Sequence, residues 1–264
     1  AAYPPHALPD EERFWELLRP VLANPALLPW LDGAPQTNEV GRSAVLMAGL
    51  LAVAERFPGP MELLELGASA GLNLLLDHYG YDLGGRPAGD SASPLFLRPE
   101  WRGPPPPDAR VTIAARRGVD LNPLDARRDG ERLLAYVWPD QQARLAQLER
   151  ALTIAARNPP PIDRSDAADW LAARLAEPQA PGTVRVVLHS IAFQYFPAET
   201  KARVVTELAE MGAGATPDRP LAWLRYEFDD RDEKIALRLA TWPGGEERLL
   251  AYCHPHGRSV RWVG

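Results

Sequence analysis

The chain has 264 residues, 46% of them hydrophobic and 24% charged, enough for one large core with a small accessory region. A formal charge of -6 argues against a general nucleic-acid binder, which needs a basic surface, and leaves only a local basic groove open. The longest nearly apolar stretch, residues 43–54, is too short to cross a bilayer. The one cysteine, Cys253, excludes an intrachain disulfide framework and a cysteine-based zinc site, so a reducing cytoplasm is the expected setting.

The chain opens with alanine and a proline-bearing run, without a signal-peptide pattern, which fits a natural protein that extends further upstream. Residues 8–31 show short helical patterns around Phe14, Trp15, Leu17 and Leu18, with Pro20, Pro25 and Pro29 expected to end them. This predicts an N-terminal helical cap over residues 1–58, with a longer helix over 37–57 carrying Val40, Ala44, Met47, Leu51 and Ala54 on one face. Pro58, Gly59 and Pro60 stop that helix.

Residues 62–66 read as a buried strand, followed by a small-residue turn and a helix beginning at Leu72. Residues 80–110, rich in glycine and proline, are long for a plain connection and predict an insertion or lid. A second strand is expected over 111–119, then a helical stretch over 130–157 broken near Pro139. A short strand near Ile162 leads to Asp166 and a helix through Trp170. A fourth strand over 184–188 ends at His189 and Ser190, and a helix follows over 198–211. Residues 221–228 give a fifth strand, and 235–242 with 248–252 form a hairpin around Pro243-Gly244-Gly245, with a last short strand over 258–263. Strands alternating with helices predict a mostly parallel α/β sheet covered on both faces over residues 59–264, closed by an antiparallel hairpin.

The turn after the first strand carries two chemistries. As Glu65-x-Gly67-x-x-x-Gly71 it resembles the nucleotide-binding motif of class I methyltransferases; as Gly67-x-Ser69-x-Gly71 it matches a serine-hydrolase nucleophile elbow. On the first reading glycine lets the backbone approach a ligand, and Glu65 faces the ammonium end of S-adenosylmethionine. Asp120 with Leu121 and Asn122 then meets the ribose hydroxyls, and Asp166 with Ala167 lies near the adenine amino group. Gly67, Ala68, Ser69, Gly71, Asn73 and His189 complete the expected cofactor set. Each acidic residue also has a plain structural role open to it, Asp120 as a turn residue and Asp166 as a helix N-cap. On the second reading Ser69 is the nucleophile, with Asp229 or Asp230 and His254 or His256 in triad order. Only helical patterns precede the elbow, however, and Glu65 puts negative charge where an oxyanion would form.

Four segments point to one family: Gln36-Thr37-Asn38-Glu39-Val40-Gly41-Arg42-Ser43, Leu64 through Asn73, Arg117-Gly118-Val119-Asp120-Leu121-Asn122-Pro123, and His254-Pro255-His256-Gly257. Over nearly its whole length the chain resembles the uncharacterised bacterial family called domain of unknown function 2332. That family is similar to class I methyltransferases in its first motif, which implies a Rossmann-like sheet and S-adenosylmethionine as cofactor.

Methyl transfer needs alignment and water exclusion, with a base only where the acceptor requires one. His189, Ser190, Gln194 and Tyr195 follow the fourth strand, where ligands of such sheets bind, and His189 is a candidate base or a histidine held by a backbone partner. Glu39 and Arg42 lie on one helix face near Asn38, either paired or covering the acceptor. The catalytic candidates are therefore His189, Tyr195, Glu39 and Arg42. Tyr226 and Glu227 are further candidate acceptor contacts. His254 and His256 read as turn histidines before metal ligands, and Trp101 and Trp138 as packing residues. The expected acceptor is a small molecule, with no nucleic acid, membrane or metal partner. A nonenzymatic scaffold or ligand sensor retaining the fold is the alternative.

Overall fold

The computed structural model describes residues 6–31 and 36–264, so part of the proline-bearing opening run lies outside the described residues. Helix α1, Glu11–Leu22, starts at Asp10, whose side chain accepts from the Arg13 amide, and Glu11 and Glu12 in its first turn suit the helix dipole. Pro20 does not end this helix, contrary to the sequence expectation; it sits inside the last turn and only removes one donor. A 3-10 turn, Pro25–Trp30, follows. No residue of either element is buried, so this first part of the predicted cap is not a packed layer.

Helix α2, Arg42–Arg56, differs sharply: every residue from Arg42 to Ala54 is buried. The helix is apolar or small on every face, as a helix enclosed on all sides must be. It lies against the central sheet, so the expected boundary at residue 58 does not separate two packing units. Gly49 permits the close approach, because a Cβ there would stand 2.6 Å from Leu224 Cδ1.

Strand β1, Met61–Leu66, is the middle one of five parallel strands in the large sheet. The chain then makes a 3-10 helix, Leu72–His78, where an ordinary helix was expected. Leu72 and Leu74 through Leu76 are all buried, with Asn73 between them, and burial of every residue leaves no helical period to define one face. The 80–110 stretch forms β2 (Gly80–Leu83), β3 (Arg86–Gly89) and β4 (Phe96–Leu97) in a separate three-stranded sheet, then β5 (Glu100–Arg102). Trp101 of β5 stacks on Trp262 with ring centroids 5.8 Å apart.

Strand β6, Ile113–Asp120, precedes α3 (Gly130–Ala135) and α4 (Gln142–Arg157), separated as Pro139 predicts. Trp138, expected to pack, is 65% exposed. Strand β7 (Ile162–Arg164), α5 (Ala167–Leu175), β8 (Val184–Ser190) and α6 (Ala198–Ala213) follow. The chain closes with β9 (Leu221–Asp229), β10 (Lys234–Trp242), β11 (Glu246–Cys253) and β12 (Ser259–Trp262).

The large sheet has the order β5-β12-β11-β10-β9-β8-β1-β6-β7. Strands β7, β6, β1, β8 and β9 are mutually parallel, and β10 and β11 form the antiparallel hairpin. Two cores lie on opposite faces. One joins α2, the 3-10 helix and α4 to Met61, Leu63, Val186, Leu188, Ala222 and Leu224; the other joins α5 and α6 to Leu64, Leu66, Val187 and Trp223. Successive strand side chains alternate between faces. That alternation sends Glu65, Ser190 and Tyr226 to the α2 face and His189 and Glu227 to the α5–α6 face.

Candidate functional site

The turn after β1 is built on left-handed backbone at Gly67 (φ 70°), Ser69 (φ 55°) and Gly71 (φ 69°). A side chain at Gly67 would place its Cβ 2.5 Å from the Ala192 Cβ, so only glycine fits. Neighbouring strand ends hold the turn in place. The Gly67 and Ala68 amides donate to the Val119 carbonyl at 2.9 and 3.0 Å, and the Ser69 amide donates to Asp120 Oδ2 at 2.9 Å. Asn38 Oδ1 accepts from the Leu72 amide at 2.8 Å, joining the segment before α2 to the far end of the turn.

A cavity of about 1020 Å³ lies over this turn, outside the carboxyl ends of β1, β6, β7 and β8. This is the crevice where the strand order reverses between β1 and β8, the general ligand position of open α/β sheets. Its inner wall includes Arg42, Glu65, Ser69 and Asp120; Ser190 through Ala192 and Tyr195 through Pro197 form another side. No residue of 80–110 lines it, so of the two expectations for that segment, insertion or lid, the lid over this cavity is not what the structure has.

Glu65 is 1% exposed, and its Oε2 has no hydrogen-bond partner. Burial, then the nearby Asp120 charge, push its carboxyl well above the ordinary value, while Arg42 and Asn73 pull the other way. Ser69 Oγ and Asn73 Oδ1 are also buried without partners. Such orphaned atoms are rare in folded proteins and mark places where a ligand or water completes the bonding. Arg42 is 8% exposed; its Nη1 donates to the Ser190 carbonyl at 2.8 Å and its Nε to the Pro255 carbonyl at 2.9 Å. Burial pulls the guanidinium down from its ordinary value, and no carboxylate among the described residues lies within ion-pair distance. The expected Glu39–Arg42 pair therefore does not form.

Asp120 and Asp166 both face the cavity. Asp120 accepts from Ser69, from the Asn122 amide at 2.9 Å and from Gln36 Nε2 at 3.2 Å. Asp166 is the N-cap of α5, accepting from the Ala168 and Asp169 amides, with Thr200 Oγ1 on its second oxygen at 3.0 Å. Hydrogen bonding outweighs burial and holds its carboxyl below the ordinary range. Leu121, Asn122 and Ala167 line the cavity beside these two residues, as does Tyr195, which is 77% exposed. Ala68, Gly71 and Asn73 shape the turn from behind without lining the cavity.

His189 is placed elsewhere. It is fully buried, its Nδ1 is 2.7 Å from Glu227 Oε1, and its Nε2 accepts from Trp223 Nε1 at 3.1 Å. With an indole N–H on Nε2, the proton sits on Nδ1 and the ring has no free nitrogen. Glu227 Oε1 also accepts from the Ala192 and Phe193 amides at 3.0 Å, so this pair shapes the loop after β8. Ile191 in that loop has φ 50°, a strained conformation for a β-branched residue, and it lines the cavity. Tyr226 is buried, donating its hydroxyl to the His254 carbonyl.

Glu39 also lies behind the cavity wall. It pairs with Arg144, and His256 Nδ1 stands 3.1 Å from its Oε2, close enough for an ion pair but not aligned as a hydrogen bond. These partners outweigh burial and hold the Glu39 carboxyl below its ordinary value. His254 and His256 belong to a turn closed by the Gly257 amide on the His254 carbonyl at 2.8 Å. Among the described residues no group of three or more histidine, cysteine, aspartate or glutamate side chains is placed to hold a metal.

The triad partners required by the hydrolase reading are not gathered at Ser69. Asp229 is bound to Arg231 and Arg238, and no histidine lines the cavity among the described residues. Several lining residues carried no sequence signal of a place in this site. Gln36 acts through partners more than 80 positions away, and Arg128, Arg132 and Arg164 fall in no motif.

A family model for an uncharacterised protein conserved in bacteria, domain of unknown function 2332, matches residues 1–262. The chain belongs to this family. A search of curated proteins gave no match. Within the family segment, no helix of the described residues is long and apolar enough to cross a membrane.

Proposed function

We propose that this member of domain of unknown function 2332 is a class I, Rossmann-like methyltransferase that binds S-adenosylmethionine and acts on a small-molecule acceptor. The observation that carries the reading is the orphaned Glu65 Oε2 near the end of β1, beside a buried guanidinium without a carboxylate partner among the described residues. An amino-acid group supplies both missing charges, its ammonium to Glu65 and its carboxylate to Arg42.

The parallel order β7-β6-β1-β8-β9 agrees with the 3-2-1-4-5 arrangement of nucleotide-binding sheets, with the cavity at the reversal point. Asp120 stands where ribose hydroxyls would donate. Three donors already use its oxygens, two on Oδ1 and one on Oδ2, which leaves one direction on Oδ2 for a ligand hydroxyl. Asp166, with one acceptor direction left on a carboxylate that can accept about four bonds, and the Ala167 backbone would meet the adenine edge. The cofactor supplies a methyl group on a sulfonium. The chain binds it, orients it and excludes water.

Calorimetry with S-adenosylhomocysteine on wild type and on Glu65→Ala tests the reading. Binding to wild type and its loss in the variant are expected. Failure of wild type to bind S-adenosylmethionine or S-adenosylhomocysteine at millimolar concentration overturns it.

A further inference from the structure

The cavity divides by charge. Its inner end carries the carboxyl groups of Glu65, Asp120 and Asp166, whereas Arg128, Arg132 and Arg164 stand exposed or half-exposed at its rim. Arg132 uses only Nε, on the Tyr136 hydroxyl at 3.0 Å, and Arg164 uses only Nη1, on the Leu121 carbonyl and Asn122 Oδ1. Neither has a carboxylate within ion-pair distance among the described residues, and Arg128 has only a 3.8 Å contact to Asp125. Asp129, the acidic residue on the same rim, is committed to the Asp125 amide at 2.7 Å. Planar N–H pairs are thus left at the mouth, the geometry that binds carboxylates in a bidentate way.

The same lining bears on the reacting group. Among the described residues the cavity wall holds no histidine, lysine or cysteine. His189 is sealed behind it, and Asp120 and Asp166 each accept three hydrogen bonds. A neutral alcohol or an ammonium must lose a proton, and the carboxyl groups around the turn are Glu65, which the cofactor reading gives to the ammonium, and Asp120 and Asp166, each already holding three hydrogen bonds. A carboxylate is already ionised near pH 7.

We propose that the rim arginines Arg128, Arg132 and Arg164 recognise a small organic polycarboxylate, and that one of its carboxylates is the methyl acceptor. The proposal rests on the methyltransferase reading. In the transfer a carboxylate oxygen forms the new O–CH3 bond as the S–CH3 bond of the sulfonium breaks. The bonding pair stays on sulfur, which becomes a neutral thioether, and no proton is released. The product is a methyl ester.

The test is calorimetry of the full chain saturated with S-adenosylhomocysteine, with citrate as probe and inorganic phosphate and putrescine as comparisons. Citrate is expected to bind, and the double variant R128A/R132A to weaken it by about 30-fold or more while S-adenosylhomocysteine affinity stays within about 3-fold. Lysine at both positions should restore part of the loss. Absence of citrate binding to the loaded protein overturns the acceptor class but leaves the cofactor reading standing. Undiminished citrate binding in the double variant overturns the role of the rim, equal binding of phosphate overturns carboxylate selection, and preferential binding of putrescine overturns anion recognition. If S-adenosylhomocysteine itself fails to bind wild type, the cofactor reading falls and the acceptor role falls with it.

Discussion

The Ser69 amide donates to Asp120 Oδ2 at 2.9 Å, so the turn after β1 and the end of β6 are one mechanical unit. Ser69 holds a left-handed φ that costs a non-glycine residue about 1–3 kcal/mol, and the Asp120 carboxylate is one of the groups that keep it there. Asp120→Ala removes the acceptor for Ser69, Asn122 and Gln36 together. Charged hydrogen bonds of about 1.5–3 kcal/mol predict a loss in S-adenosylhomocysteine affinity of about 10- to 100-fold, measured by calorimetry on folded protein. Unchanged affinity would remove Asp120 from the site.

Glu65 gives a pH prediction of definite sign. Its folded carboxyl keeps the proton well above the ordinary 4.5, at which the unfolded chain releases it. Above that value the folded state binds more protons than the unfolded state, so this group's contribution to stability falls as pH rises towards its folded pKa. Glu65→Gln should therefore gain stability relative to wild type as pH rises above 4.5 in urea melts. A difference that stays constant as pH rises from 4.5 to neutrality would show that Glu65 is ionised in the free protein. Pairing with a ligand ammonium should also release the proton, seen as a buffer-dependent binding enthalpy.

Much of this frame is legible in the residues alone, and its failures have specific causes. The run Met61–Leu66 before Gly67 reads as a buried strand, and Glu65, Asp120 and Asp166 are visible because each marks or closely follows a strand end. The 3-10 helix was hidden because consecutive leucines bury on every side and leave no period. The position of His189 at the end of β8 suggests the cavity, although the alternation of Val186, Val187 and Leu188 already assigns it to the opposite face. Arg42 stood out as a polar residue at a helix start. Its partners, the carbonyls of Ser190 and Pro255, lie 148 and 213 positions away, beyond any local pattern.

The Glu227–His189 pair predicts a structural defect that reaches the site. Hydrogen bonds from His189, Ala192 and Phe193 outweigh burial and hold the Glu227 carboxyl below its ordinary range. Glu227→Ala leaves the His189 Nδ1–H and two backbone amides without an acceptor, for a cost of about 3 kcal/mol. A depressed folded pKa contributes stability above pH 4.5 that is lost as pH falls through the folded value, so the gap to wild type should narrow in acid. Thermal melts at neutral and acid pH check both parts. A variant as stable as wild type at neutral pH would contradict this account of the loop after β8.

Gly49→Ala separates packing from helix propensity. In an exposed helix the change stabilises by about 1 kcal/mol, because alanine loses less backbone entropy than glycine. Here the new Cβ would stand 2.6 and 2.8 Å from the two methyls of Leu224, which is fully buried in the core beneath α2. Overpacking typically costs about 1–3 kcal/mol, enough to cancel or exceed the propensity gain. The urea midpoint should fall while the slope of the transition stays constant. A raised midpoint would mean that α2 can lift from β9 without loss, and that the tight seating of Arg42 at the start of this helix is not enforced by the core beneath it.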